Sequence, residues 1–233
     1  MQSWVAWARG PAFLFAFTFM LLGLIRHVAL TIWELARAMH RAGDKTFPYR
    51  QVLMATLKWL FPVGKVTDQL LFSLTSVLFH VAVLIVPIFL AGHIALWARG
   101  LGVSWPGIPN RWADVLTMVA VITAVALVIQ RVWARTARAL SRFQDYALPV
   151  IIAVPFASGF LVMHPWMNPF SYEATFFVHI MSANLVLVLI PITKLSHVVL
   201  LPSVQLVSEV AWHWPPDAGS KLAVTLGKEH QPI

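Results

Sequence analysis

LLFSLTSVLFHVAVLIVPIFLAGHIALWA, residues 70–98, decides the fold, because it contains no Asp, Glu, Lys or Arg. At 1.5 Å per residue a helix of this length exceeds the roughly 30 Å hydrocarbon core of a bilayer. The same reading, carried outward, gives apolar spans at 11–33 (interrupted by Arg26), 112–134, 146–164 and 173–201. Five transmembrane helices follow. Of the 233 residues 59% are hydrophobic and 11% charged, with a mean hydropathy of +0.76. A water-soluble domain carries about 25% charged residues, so the composition excludes one, and it excludes disorder and a coiled coil as well. The expected organisation is one all-α membrane domain over 1–201 and a polar, proline-containing tail over 202–233. No internal repeat is visible.

Basic residues orient the spans. Arg37, Arg41, Lys45, Arg50, Lys58 and Lys65 lie between the first and second, and Arg131, Arg135, Arg138 and Arg142 between the third and fourth. Lys194, Lys221 and Lys228 lie at the C-terminal end, whereas the opposite face has only Arg9, Arg99 and Arg111. The positive-inside bias therefore predicts an outside N-terminus and a cytoplasmic C-terminus. This asymmetry and attraction to anionic lipid account for the net charge of +8 without a nucleic-acid partner. The basic loops and the tail, with its Trp212-His213-Trp214-Pro215-Pro216, are also surfaces for a cytoplasmic partner. Leu57–Lys65 reads as a segment in the inner interface. Ala36-Arg37-Ala38 resembles a signal-peptide cleavage site, but the apolar run before it is too long and holds Arg26, so the first helix is expected in the mature chain.

Cysteine is absent, so no disulfide, thiolate zinc site, Cys-ligated iron–sulfur cluster or c-type haem is available within the chain. Any metal must then be held mainly by histidine. His80 and His93 fall in the second span, and His179 and His197 in the fifth. Ionisable residues inside a membrane are costly and point to function. Because the two helices run in opposite directions, the four pair by depth: His80 with His197 near the inner side, and His93 with His179 near the outer side. Neutral imidazoles facing one another in this way are suited to axial ligation of haem iron, so two pairs predict two b-type haems. The eighteen residues between His179 and His197 make five turns of a continuous helix, roughly 27 Å long, with both rings on one face. His80 and His93 are offset by about 140° on an ideal helix. Pro87 between them can kink or unwind it, and Gly92 leaves room beside His93 for a haem edge. The alternative is a set of polar residues hydrogen-bonding across helices.

These residues resemble the cytochrome b (gamma) subunit of respiratory nitrate reductases, a family that includes membrane subunits of hydrogenase and of sulfur-metabolism, heterodisulfide-reductase-like complexes. The resemblance rests on Leu78-Phe79-His80, on Gly92-His93, and on His179 followed by Pro191, Lys194-Leu195 and His197, and it covers nearly the whole chain. It implies a di-haem subunit with His93 and His179 on the outer haem and His80 and His197 on the inner one. Electrons would pass between a quinone, menaquinone or ubiquinone, near the outer face and a cytoplasmic iron–sulfur subunit joined to a catalytic subunit. The implied location is a bacterial or archaeal cytoplasmic membrane. The nitrate reductase subunit spaces its first two histidines more closely, and its quinol-site lysine has no counterpart here, Arg99 being the nearest basic residue. The pattern therefore leans toward the hydrogenase-linked and sulfur-metabolism relatives.

Other residues are candidates by position. Arg26 is a possible partner of a haem propionate or a snorkelling end of the first helix. His27 is an alternative axial ligand without a depth-matched partner. His164, beside Pro165 and Trp166, joins His93 and Arg99 as a quinone-site candidate that can exchange protons. Trp97 and Trp105 read as interfacial anchors, and His40, His213 and His230 as solvated. No phosphate-binding glycine motif, nucleophile elbow or HExxH occurs. The rival reading is a transporter or proton channel that relays protons through intramembrane histidines. It calls for acidic residues inside the bundle, and none stands out from the sequence.

Overall fold

Long apolar runs with few helix breakers leave each span little choice: in hydrocarbon, only a helix bonds every backbone group within its own segment. The computed structural model describes residues 2–41, 49–60 and 70–200, together with 207, 224 and 227. Among the described residues it is all-helical, without a strand. Five helices are long and apolar enough to cross a membrane: Ser3–Ala38, Leu70–Phe89, Asn110–Trp133, Phe143–Met163 and Tyr172–Ile192. Their outward faces carry exposed apolar residues such as Phe15, Leu22, Leu71 and Ile122, a surface that needs lipid around it. Most of the tail over 202–233 and all of 61–65 lie outside the described residues, as do His213 and His230.

The chain forms two units, residues 1–19 with 64–189 and residues 20–63 with 190–233. In the first, α1 (Gln2–Trp7) enters a wide π-helical turn, Ala8–Ala12, that contains Pro11. Then come α4 (Leu70–Phe89), α5 (Ala91–Leu101), α6 (Asn110–Trp133), α7 (Arg135–Leu140), α8 (Phe143–Met163) and α9 (Tyr172–Leu189). Helix α6 packs between α4 and α8, and α9 packs on α8. Small residues let these backbones approach: Ala82, Ala113, Ala120 and Ala124 are buried, with Thr117, Thr123 and Ser158. Thr117, Thr123 and Ser158 each return their hydroxyl to a carbonyl four residues back, so these three hydroxyls are satisfied between the helices. Asn184 of α9 donates through Nδ2 to Ala8 O at 2.9 Å, fastening α1 and its π turn to the bundle.

The second unit holds most of α2 (Phe13–Arg41), the short helix α3 (Tyr49–Leu60) and the turns after residue 190. Pro191 packs on Gly23, where any Cβ would overlap the proline ring. His27 donates from Nε2 to Pro191 O at 2.8 Å.

Three spans differ from the sequence reading. The first is a longer helical segment than 11–33, reaching from Ser3 to Ala38. The span at 70–98 is two helices, broken at Leu90, whose backbone is extended (φ −71°, ψ 127°). Pro87 lacks the N–H that would hold the preceding turn, which weakens the ladder at that place. The fifth span does not run as one helix to 201: α9 stops at Leu189, 3-10 turns cover Ile190–Ile192 and Lys194–Ser196, and Thr193 between them is extended. Pro191 again removes the donor, and the Thr193 side chain caps Leu195 N–H. The five-turn phase relation between His179 and His197 therefore does not hold.

Candidate functional site

The break at Leu90 releases the carbonyls of Pro87, Ile88 and Phe89 from their usual partners four residues on. Each finds another. His93 Nδ1 donates to Pro87 O at 3.1 Å, Trp105 Nε1 to Ile88 O at 2.9 Å, and the backbone N–H of Ile108 to Phe89 O at 2.9 Å. The break thus aims the His93 ring. Trp105 also packs near Trp97, which meets Phe17 edge-on, so these two tryptophans support the broken helix as well as marking an interface.

His179 is fixed by the same device from another helix. Its Nδ1 donates to Pro155 O of α8 at 2.8 Å. The ring lies against Gly159, where an added Cβ would come within 2.9 Å of Cε1 and 3.0 Å of Nδ1. Only glycine leaves room for the imidazole there.

These two histidines face one another. Their ring centroids are 6.2 Å apart and their planes differ by 8°. A carbonyl oxygen only accepts, so in each ring Nδ1 carries the proton and, in the neutral form, Nε2 carries the lone pair. Fixing the tautomer through a backbone carbonyl is how proteins present histidine to a metal. With metal–nitrogen bonds of about 2.0–2.1 Å, two imidazoles on opposite sides of one metal have centres about 6 Å apart, which matches the observed separation. Among the described residues, no group of three or more His, Cys, Asp or Glu is placed to hold a metal. Two imidazoles at this separation could serve as axial ligands of a macrocycle-bound metal. Gly92, next to His93, has open space where a Cβ would project.

The other inferred ligands stand differently. His80 is exposed on α4 and donates from Nδ1 to Ser76 O at 2.7 Å. His197 is exposed and donates from Nδ1 to Lys194 O at 2.7 Å. The first belongs to one unit and the second to the other. His27 departs from the pattern, because its Nε2 is the atom bonded to Pro191 O, so the expectation that it serves as an alternative ligand is replaced by a structural tie. Arg26 and His40 are exposed on α2. Arg99 is exposed in the last turn of α5 and folds back onto Ala95 O at 3.2 Å.

Over 170 residues, spanning 72% of this chain and 74% of the relative, the sequence is 32% identical to a protein of Nitratidesulfovibrio vulgaris (strain Hildenborough). The chain belongs to the same family as that protein. No family model matches the chain, and no solved structure matches it.

The partner of His164, Asp114, was not legible in the sequence. His164 closes α8, five residues beyond Gly159 and so about 7–8 Å along the helix axis from the His179 contact. Its Nδ1 donates to Phe160 O at 2.9 Å, and its Nε2 is 3.4 Å from Asp114 Oδ2 near the start of α6. The ring stacks on Phe160 and meets Trp166 edge-on. With Nδ1–H committed to a carbonyl, the close contact between Nε2 and the carboxylate is favourable only when the pair holds a further proton. Asp114 is the acidic residue at the bundle that the rival reading asked for. Its signal in the sequence was a lone carboxylate early in an apolar span.

Proposed function

We propose that the chain is the di-haem b membrane subunit of a respiratory oxidoreductase complex, exchanging electrons between a quinone and a cytoplasmic iron–sulfur partner. The observation that carries this reading is the His93–His179 pair: parallel rings, 6.2 Å apart, each with Nδ1–H held by a carbonyl beside a break or a proline. When bound, haem supplies a one-electron iron couple that a protein without cysteine or another redox group lacks. His93 and His179 would ligate the outer haem, and His80 and His197 the inner one, by the depth matching of the sequence. Arg26 remains a candidate partner of a haem propionate.

The protein's own part in quinone chemistry lies at the His93 end. Asp114 and His164 meet at 3.4 Å, one to two turns from the His179 level. The pair would take a proton from a quinol hydroxyl or return one to a quinone, while Arg99 offers a cation at the same end of the bundle. The excess of basic residues on the opposite side supports an outside N-terminus and an inward route for electrons. The partners then follow: menaquinone or ubiquinone in a cytoplasmic membrane, surrounding lipid, an iron–sulfur subunit and a catalytic subunit of the hydrogenase-linked or sulfur-metabolism kind.

The Asp114–His164 pair also favours the rival reading, a proton relay through the bundle. That relay needs further titratable groups along the path. Among the described residues the other carboxylates are Glu34, exposed on α2, and Asp145 and Glu173, in the first turns of their helices. In proteoliposomes, a quinol analogue should reduce a b-type absorbance of the protein. A protein that lacks this absorbance and conducts protons under an imposed gradient would contradict the electron-transfer reading.

A further inference from the structure

The contact between α6 and α8 at the His164 end is longer than the bond it first suggests. His164 Nε2 and Asp114 Oδ2 are 3.4 Å apart, whereas a charged N–H donating to a carboxylate settles at about 2.7–2.9 Å. The imidazole has little freedom to close that gap. Its Nδ1 donates to Phe160 O at 2.9 Å, its ring stacks on Phe160 with centroids 4.2 Å apart, and Trp166 meets it edge-on at 4.8 Å. With the proton on Nδ1, Nε2 of the neutral ring offers a lone pair, and an ionised Asp114 offers acceptors alone. Two electron-pair donors from different helices therefore stand together. Their side chains are 15% and 35% exposed, so water reaches them.

From this spacing we infer that His164 Nε2 and Asp114 Oδ2 bind a tetrahedral divalent cation, of which zinc is the best match. Zinc lies about 2.0–2.2 Å from imidazole nitrogen and carboxylate oxygen, so two ligands on one edge of its tetrahedron are about 3.3–3.6 Å apart. Magnesium prefers oxygen ligands in an octahedron at about 2.0–2.1 Å, where neighbouring ligands are about 3 Å apart. Both the distance and the nitrogen donor thus favour zinc. Phe160 O supplies the outer hydrogen bond that holds a metal-bound histidine in one tautomer. Among the described residues no third His, Cys, Asp or Glu completes a group, so water takes the other two positions and the cation is exchangeable. Cation and proton compete for the same two atoms, and binding releases the proton that the pair holds. The binding is independent of haem; its consequence, slower proton exchange with a quinone, rests on the function proposed above.

The test is zinc binding to the purified full chain, measured by equilibrium dialysis. The wild type should hold a zinc ion that excess magnesium does not displace. Asp114→Asn and His164→Gln should each weaken that binding at least about tenfold, a loss that even an outer hydrogen-bond partner of a metal ligand can cause, while His213→Gln in the tail should not. Added zinc should raise the thermal unfolding midpoint of the wild type and leave both site variants unmoved. In the wild type alone, zinc should protect His164 from diethyl pyrocarbonate, read by peptide mass. Zinc affinity unchanged in both site variants would overturn the inference, as would modification of His164 at the same rate with and without the metal. Zinc should also slow reduction of the b-type absorbance by a quinol analogue, as Asp114→Asn does. Zinc bound at the pair with that rate unchanged would uphold the metal site and remove the pair from quinone chemistry. A wild-type protein that binds zinc there and contains no haem would overturn the function proposed above and uphold this site.

Discussion

At one end of the first unit, the groups released by a broken helix are all taken up: Pro87 O by His93, Ile88 O by Trp105 and Phe89 O by Ile108. His179 and His164 have their Nδ1 atoms bonded to carbonyls as well. At the other end, Arg131 Nη1 and Gln130 Oε1 are buried and bare. The protein's own carbonyls thus hold two imidazoles parallel at the first end, whereas two buried polar atoms at the second have no hydrogen-bond partner. A preorganised site loses function when its supports are removed, whereas an incomplete one changes its properties when the unmatched group is removed.

The largest effect expected at the self-sufficient end comes from His179→Ala, which should cut the haem content from two per chain to one, read by a pyridine haemochrome assay. Retention of both haems would break the pairing of His93 with His179. Gly159→Val should act through the same atom, since its Cβ would meet the His179 ring at 2.9 Å. Overpacking of this kind costs about 1–3 kcal/mol, and the outer haem should be lost or weakened while the other stays. A fully loaded, equally stable Gly159→Val protein would show that the ring position is not fixed.

Asp114→Asn should leave both haems in place and slow reduction by a quinol analogue on the order of 10²-fold, the scale of a lost proton acceptor. Stopped-flow absorbance measures it, and an unchanged rate would remove the Asp114–His164 pair from quinone chemistry. The smallest effect is expected from Trp105→Phe, which takes one donor from Ile88 O. Thermal unfolding in detergent should show a loss of about 1 kcal/mol with the haem count unchanged.

The five spans were legible in the sequence because uncharged runs of such length have one stable form in lipid. The breaks were legible only in part. Pro87 marked the first, but its position at Leu90 depends on Trp105 and Ile108, which arrive from the following loop to satisfy the freed carbonyls. Pro191 was present in the sequence too, yet the apolar run around it read as uninterrupted, since hydropathy does not register a missing donor. His93 and His179 were paired by depth in the sequence, and their ring centroids lie 6.2 Å apart. Asp114 and Arg131 passed as ordinary charges near helix ends. What distinguishes them is a contact with His164 in one case and the lack of any hydrogen bond at Nη1 in the other, and neither is encoded in local sequence.

The central claim is that histidines of this chain hold haem. Its most direct test is the pyridine haemochrome spectrum of the purified wild-type protein, with haem counted against chain. The account predicts a b-type spectrum and two haems per chain. A folded protein with no haem would contradict it.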